Sequence, residues 1–327
     1  VRLCTVPTDE PAPLKVLGVC LPYVLVRTTE RAEQTIDVYT AQVVLDLAGT
    51  VDADRLRAAA NALIARHANP RTAFVQNESG APVQVVLDDV EMPWREVDLR
   101  SLSGAEQDEE IARLVTEHRS GRFDMTRPPL MRCLLIRTGA DTYRFSISNH
   151  HILLDGWSMP LLMKDLLVLY ATRGDATHLP RVRGYRDFLS WLSERDAQVS
   201  RNAWAHALAG LDAPTVVAPA PPQSGAERPG PVKYPVRVGA AVSEELARVA
   251  RDRGVTMNTI VQAAWGLLLA RMTGSEDLVF GATVSGRPTQ VSGVESMVGL
   301  FINTLPIRVR IDPNESLVGL LERLQAE

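Results

Sequence analysis

Residues 149–158, which read Asn-His-His-Ile-Leu-Leu-Asp-Gly-Trp-Ser, constrain the fold more than any other stretch of this sequence. Before them, Tyr143, Phe145 and Ile147 alternate with polar residues, which is the two-residue period of a half-buried strand. After them, leucines recur with helical spacing, and Ser158 stands where it can cap that helix. The sequence therefore predicts that the two histidines lie where a strand ends and a helix begins.

The chemistry of this decapeptide favours a catalytic site. Neutral imidazole accepts a proton near pH 7, so His150 or His151 suits general-base work on an amine or an alcohol. Asp155 can hold a local turn by pairing with a distant cation, and Gly156 lets backbone pass close to a bulky substrate. A metal site and a purely structural histidine pair are the alternatives. The metal site is disfavoured because the other four histidines are scattered and the cysteines show no ligand spacing.

The composition is that of an ordinary globular protein. The chain has 327 residues, a length that is enough for two domains. Of these residues, 46% are hydrophobic and 23% are charged. A net charge of −4 gives no indication of nucleic acid or an anionic membrane as a partner. The three cysteines show no pairing pattern, which predicts a reducing, cytoplasmic compartment. The apolar run at 16–26 is interrupted by Gly18 and Pro22 and is too short to span a bilayer.

Strand-like and helix-like periods are mixed along the chain from residue 37 onwards, which predicts an α/β protein. A stretch rich in proline and alanine indicates an extended linker between two halves. Residues 257–272 are apolar nearly all round, so we expect Thr256 to cap a helix that is buried in a core. The predicted organisation is an atypical amino-terminal segment at 1–35, a first lobe at 36–180, connecting helices at 181–212, a linker at 213–231 and a partial second lobe at 232–327.

Four separated motifs together resemble the condensation domains of nonribosomal peptide synthetases. They are His-His-x-x-x-Asp-Gly at 150–156, Tyr-x-Asp-Phe-x-x-Trp at 185–191, Val-Gly-x-Phe-x-Asn-Thr at 298–304, and Arg-His followed by Arg-Thr-x-Phe within 66–74. The sequence departs from the family pattern at Pro70, where a leucine is usual. The family's amino-terminal motif is not recognisable in residues 1–35, and its last two motifs are absent, so we expect the second lobe to be incomplete.

The resemblance implies two lobes like those of chloramphenicol acetyltransferase, arranged as a V with a tunnel between them. It implies an amide-forming acyltransferase, which passes a donor acyl or peptidyl thioester to the α-amine of an acceptor aminoacyl thioester. Both substrates would be carried on the 4′-phosphopantetheine arms of donor and acceptor carrier domains, with no cofactor bound directly. An adjacent adenylation domain is a further expected partner, and the chain would be monomeric within a multidomain synthetase.

The resemblance also implies roles for individual residues. His151 would be the catalytic residue, with His150, Asp155 and Gly156 in support. Asp155 would pair with an arginine, for which Arg287 is the first candidate and Arg71 the second. Substrate-tunnel positions would be Trp157, Ser158 and Asn303. The aromatic residues of the second motif are expected to pack rather than react; they are Tyr185, Phe188 and Trp191.

Several alternatives remain open at the level of sequence. The amino-acid sequence around the histidine motif is similar to that of the subtype that accepts a D-configured donor residue. The related epimerisation domain uses the same histidine element, and His151-x-x-x-Asp155 alone would also fit an acyltransferase that uses coenzyme A. A non-catalytic module that recruits carrier proteins is the alternative from another class. Whether these 327 residues are active alone is open, because the resemblance places a latching element beyond them.

Overall fold

The computed structural model describes residues 2–3, 39–78, 80–217 and 235–326. Its mixture of strands and helices confirms the predicted α/β class. The strands are β1 (Arg2–Leu3), β2 (Thr40–Ala48), β3 (Thr72–Gln76), β4 (Pro82–Val86), β5 (Trp94–Asp98), β6 (Met131–Arg137), β7 (Thr142–His150), β8 (Asp277–Val284) and β9 (Asn303–Arg310). The helices are α1 (Ala53–Arg66), α2 (Gly104–Ser120), α3 (Ser158–Ala171), α4 (Tyr185–Ser193), α5 (Ala197–Ala207), α6 (Ala240–Arg253), α7 (Met257–Thr273) and α8 (Leu317–Ala326).

The chain divides into two compact units. Unit 1 comprises Val1–Arg195 together with Ser285–Ile302, and unit 2 comprises Asp196–Val284 together with Asn303–Glu327. The expected amino-terminal segment lies outside the described residues except for Arg2–Leu3, and so do residues 218–231 of the expected linker. The predicted domain boundaries therefore stay a prediction.

Unit 1 is built on a four-stranded sheet in the order β2-β7-β6-β5. Strands β2, β7 and β6 are antiparallel neighbours, whereas β5 pairs with β6 in parallel. Strand β5 was not predicted from the sequence, because a short strand that carries charged side chains has little strand signal. A second sheet of unit 1 has the order β1-β4-β3.

Side chains alternate between the two faces of the larger sheet along each strand, and both faces are covered by other elements. Phe145 and Ile147 of β7 belong to the main core, which also contains the buried side of α1 and α3. Leu134 and Ile136 of β6 point to the other face, where α2 covers them. β7 is therefore buried on both sides, and the turn that follows it starts from a rigid strand.

Unit 2 contains the antiparallel pair β8–β9 together with helices α5 to α8. Its core joins Ala263 of α7 to Val309 of β9 and Leu320 of α8. Gly266 lies against the Val309 side chain so closely that a Cβ at this position would collide with it. The close approach of helix and strand at this point requires a glycine.

Helix α7 corrects one expectation. The predicted Thr256 cap is present, because its side chain accepts a hydrogen bond from the Thr259 backbone N–H. The predicted burial is wrong, since Val261, Trp265 and Leu268 are 57%, 47% and 48% exposed. Only the side of α7 that faces β9 is covered by described residues. An apolar sequence gives the tendency to be buried, but the neighbouring elements decide which side is covered.

Candidate functional site

The predicted junction of strand and helix is present in unit 1. β7 ends at His150, whose backbone N–H donates to Leu130 O at 2.9 Å. The next N–H, that of His151, donates to Tyr39 O at 2.8 Å. Helix α3 begins at Ser158. The two histidines thus lie at the start of a short connection that is fixed by backbone hydrogen bonds at its strand end.

The two imidazoles have opposite environments. His150 is fully buried, and its Nδ1 accepts a hydrogen bond from the Ile152 backbone N–H at 3.1 Å. Its ring contacts Tyr39 and, edge to face, Phe123. His151 is exposed. Only the second imidazole of the pair is therefore open to a substrate in unit 1.

Asp155 is the most strongly held residue of the motif. It is 1% exposed, and its Oδ2 accepts the backbone N–H groups of Phe301 at 3.1 Å and Ile302 at 3.3 Å. Its Oδ1 accepts both the N–H and the hydroxyl of Ser158, at 2.9 and 2.8 Å. The acceptor positions on both carboxylate oxygens are therefore occupied by donors from the loop and from segment Ser285–Ile302. Asp155 is therefore suited to holding the loop rather than to moving protons.

The expected ion pair between Asp155 and Arg287 is present, with Nη2 3.4 Å from Oδ1. The Arg287 side chain is 5% exposed. It also donates to the carbonyl oxygens of Val294 and Met297, and its guanidinium lies 3.9 Å from the centre of the Phe301 ring. Burial lowers the pKa of Arg287, and the charge of Asp155 acts in the opposite direction. Each of these groups is buried with a partner that compensates its charge.

Two expectations about this region are wrong. Ser158 does not line a substrate tunnel, because it is fully buried and its hydroxyl is bonded to Asp155, Arg287 and Gly299. Arg71 is not a partner of Asp155. It donates instead to Ile64 O at 2.9 Å and to Leu87 O, where it closes the end of α1 against the neighbouring strands.

The other expected positions are exposed, and their assignment to a tunnel stays a prediction. Gly156 is exposed, and a Cβ added there would meet nothing within 4 Å. Trp157 is 55% exposed while its indole N–H donates to Glu295 O at 3.0 Å. Asn303 lies in unit 2, where its Oδ1 accepts the Thr304 N–H at 2.9 Å. The fold itself therefore does not require a glycine at position 156.

Within the described residues, no group of three or more His, Cys, Asp or Glu side chains is placed to hold a metal ion. In the same part of the chain, no helix is both long enough and apolar enough to cross a membrane.

Comparison with known proteins identifies the family of this fold and histidine motif. The family model described as the condensation domain matches residues 26–327. This chain belongs to the condensation-domain family.

Curated relatives of this condensation domain include bacitracin synthase 3 of Bacillus licheniformis, which is 32% identical over 297 residues. That match covers 90% of this chain but only 5% of the synthase. Among solved structures, the X-domain from teicoplanin biosynthesis matches with a TM-score of 0.75 and 25% identity, covering 99% of this chain and 71% of that one. The first condensation domain of the calcium-dependent antibiotic synthetase, in complex with a substrate analogue, has a TM-score of 0.71 at 23% identity, covering 95% and 73%.

The aromatic residues of the second family motif of this condensation domain pack in unit 1. Tyr185 and Phe188 of α4 contact the Phe301 ring, with ring centres 5.0 and 4.7 Å apart, and Phe188 stacks on Trp191. The expectation that these aromatic residues pack is confirmed. Tyr185 lies directly against Gly299, where a Cβ would overlap its ring, and burial raises the pKa of its phenol. Its hydroxyl donates to Leu300 O at 2.5 Å.

The contacts of segment Ser285–Ile302 of the condensation domain could not be predicted in full from the amino-acid sequence. The sequence supplied Arg287 as a candidate, but it did not indicate that the carbonyl of Gly299 and the N–H groups of Phe301 and Ile302 bind Asp155 and Ser158. Backbone groups carry no residue-specific signal, so only the co-occurrence of the two motifs pointed to this contact.

Proposed function

We propose that this condensation domain forms amide bonds by transferring a carrier-bound donor acyl or peptidyl thioester to the α-amine of a carrier-bound acceptor aminoacyl thioester. The observation that carries the proposal is the exposed imidazole of His151 on a loop whose other end is fixed by buried Asp155. The relatives support it, since they include synthases for bacitracin and surfactin. We infer donor and acceptor carrier domains as partners, with an adenylation domain in the same synthetase.

In the proposed reaction one bond forms, one bond breaks and one proton is transferred. The acceptor nitrogen forms a bond to the donor carbonyl carbon, the C–S bond of the donor breaks, and the amine proton passes to His151 and on to the leaving thiolate. A free α-amine has a pKa near about 8, so deprotonating it at pH 7 costs only about 1 kcal/mol. Holding two reactants in line contributes about 7–11 kcal/mol in favourable cases. His151 therefore acts mainly by orienting the amine, and takes its proton as the tetrahedral species forms.

Asp155 and His150 hold the loop that carries His151. His150 is enclosed by aromatic rings and bonded to the loop backbone, so it positions the turn. The several donors on Asp155 oppose a role in proton transfer. This disfavours Asp155 as the second acidic group that epimerisation would need for proton exchange at the substrate.

The test uses one donor and one acceptor carrier, each loaded with a thioester, mixed with the purified chain. His151→Ala should reduce product formation by roughly a thousandfold or more while leaving the melting temperature unchanged, because the side chain is exposed. His206→Ala is the matched control, since it removes another exposed histidine, on α5. Absence of transfer by the wild-type chain, or normal transfer by His151→Ala, would refute the proposal.

We also propose a D-configured donor residue, because the motif Ile-Leu-Leu-Asp-Gly-Trp-Ser is similar to the subtype with that preference. The same assay, run with the D and L forms of one donor thioester, tests this point separately. Faster transfer from the L form would contradict it.

The second candidate function is a docking module without catalysis. It is favoured by the similarity to the X-domain from teicoplanin biosynthesis, which has been solved in a complex with OxyB. Binding of loaded carriers in a pull-down, with no product in the parallel transfer assay, would support this candidate over amide formation.

A further inference from the structure

Ser158 has an unusual number of contacts for one hydroxyl group. It is the first residue of α3 and is fully buried. Its Oγ lies 2.8 Å from Asp155 Oδ1 and 2.9 Å from Gly299 O. It also accepts from Arg287 Nη2 at 3.0 Å and from the Gly299 N–H at 3.1 Å. A hydroxyl has one proton to donate and two lone pairs, so this environment uses its full capacity.

The serine hydroxyl bridges the buried ion pair. The direct contact between Arg287 and Asp155 is 3.4 Å, which is long for a charge-assisted hydrogen bond, whose usual length is about 2.7–2.9 Å. Both groups make shorter bonds to Ser158 Oγ than to each other. The hydroxyl therefore fixes the distance between the guanidinium and the carboxylate.

The same hydroxyl connects two parts of unit 1 that are far apart in sequence. The Gly299 N–H donates to Ser158 Oγ, 141 residues earlier in the chain, and Gly299 O shares the single hydroxyl proton of Ser158 with Asp155 Oδ1. The Asp155 N–H also donates to Gly299 O, at 3.1 Å. The loop that carries His151 is thus held at one end by the hydrogen bond from the His151 N–H to Tyr39 O. It is held at the other end by the hydrogen bonds to Gly299.

We propose that Ser158 is a positioning residue, whose hydroxyl orients the His151 loop by tying Asp155 and Arg287 to the Gly299 backbone. The inference rests on the proposed amide-forming function for its kinetic consequence, but not for its structural one. Ser158 does not touch the reacting atoms, because it is fully buried behind the loop.

The kinetic test compares Ser158→Ala, Ser158→Thr and Ser148→Ala with the wild type in the two-carrier assay. Ser148 is the matched control: it is also a fully buried serine, on β7, but its hydroxyl is bonded to His118. Ser158→Ala should lower kcat by roughly tenfold or more, with little change in KM for the acceptor carrier, because only the alignment of His151 is lost. Ser158→Thr, which keeps the hydroxyl, should recover most of kcat, and Ser148→Ala should retain it.

A second measurement does not depend on catalysis. Amide hydrogen exchange should accelerate by roughly tenfold or more at Gly299 and Phe301 in Ser158→Ala, and should stay unchanged there in Ser148→Ala. Unchanged exchange at both amides would overturn the inference, whether or not the protein is active. Accelerated exchange with wild-type kcat would refute the positioning role, whereas a wild-type chain that does not transfer would contradict the proposed function alone.

Discussion

Burial separates the residues of the histidine motif into two groups with different consequences of mutation. Three residues are exposed, so their substitution should affect activity more than folding; they are His151, Gly156 and Trp157. Asp155 and Ser158 are buried and fully bonded, so their substitution should affect the loop itself. The sequence alone could not make this division, because all of these residues stand close together in one short motif.

Arg287→Ala should destabilise the protein by about 3–5 kcal/mol, because it leaves the buried carboxylate of Asp155 without its cation. Arg248→Ala is the matched control, since Arg248 bonds Glu245 and Asp252 on the exposed surface, where water screens the charges and the ion pairs contribute little to stability. Urea unfolding of the two variants and the wild type measures the difference. Equal midpoints for the two variants would contradict the structural role of the pair.

His118 should make folding sensitive to pH. Burial lowers the pKa of His118 to about 4, and the charges of Arg132 and Arg95 act in the same direction. Between pH 6.5 and about 4 the unfolded chain therefore binds a proton that the folded chain does not. The contribution of His118 to the free energy of unfolding is greatest above this window and falls by roughly 3 kcal/mol as the pH is lowered through it.

The control for this effect is His118→Gln, which keeps a hydrogen-bonding group beside Ser146 and Ser148 but does not titrate. The difference in unfolding free energy between wild type and variant should be constant above pH 6.5 and should change below it. A difference that stays constant across the whole window would show that His118 is not the responsible group.

At the scale of elements, the fit of segment Ser285–Ile302 against α4 and the histidine loop depends on two glycines. Gly286 has a positive φ of 62°, and a Cβ there would overlap the backbone carbonyl of Phe301. Gly299 has no room for a Cβ because the Tyr185 ring fills the space. The segment can deliver Arg287 to Asp155 only when both positions lack a side chain.

Gly286→Ala should therefore cost about 3 kcal/mol or more, which combines overlap with left-handed strain. Gly239→Ala is the control, because a Cβ at Gly239 meets nothing within 4 Å and its φ is −62°. Thermal unfolding compares the two, and a shift for Gly286→Ala no larger than that of the control would contradict the predicted overlap.

At the scale of the whole molecule, the buried hydrophobic residues are unevenly distributed. The main core and three smaller clusters lie in unit 1, whereas one cluster that includes Val309 and Leu320 holds the described part of unit 2. Helix α5 of unit 2 has no buried residue at all. Local stability follows the amount of apolar surface that each element buries.

Hydrogen exchange should reflect this distribution. The amides of β6 and β7 should exchange slowest, and those of α5 should exchange roughly a hundredfold faster or more, because α5 can open without exposing a core. Mass spectrometry of peptides from the two regions, after a series of labelling times, measures the ratio. Comparable protection of α5 and β7 would contradict this account.

Most of the local structure could be predicted from the amino-acid sequence. The alternation along β7, the leucine spacing of α3 and the cap at Thr256 depend on contacts between residues a few positions apart, so their signals survive in the sequence. The sequence also supplied Arg287 as the partner of Asp155, although only through the resemblance to a family. Strand β5 could not be predicted from the sequence, because its residues form a strand by pairing with β6.

Which of these side chains are buried depends on the packing of elements that are distant in sequence. Ser158 was expected at a substrate surface and lies instead inside an ion pair, and α7 was expected in a core and exposes Trp265. The position of Ser158 depends on an element distant in sequence, since Gly299 lies 141 residues further along the chain. Burial is a property of what packs against a residue, and the local sequence records only how favourable that packing would be.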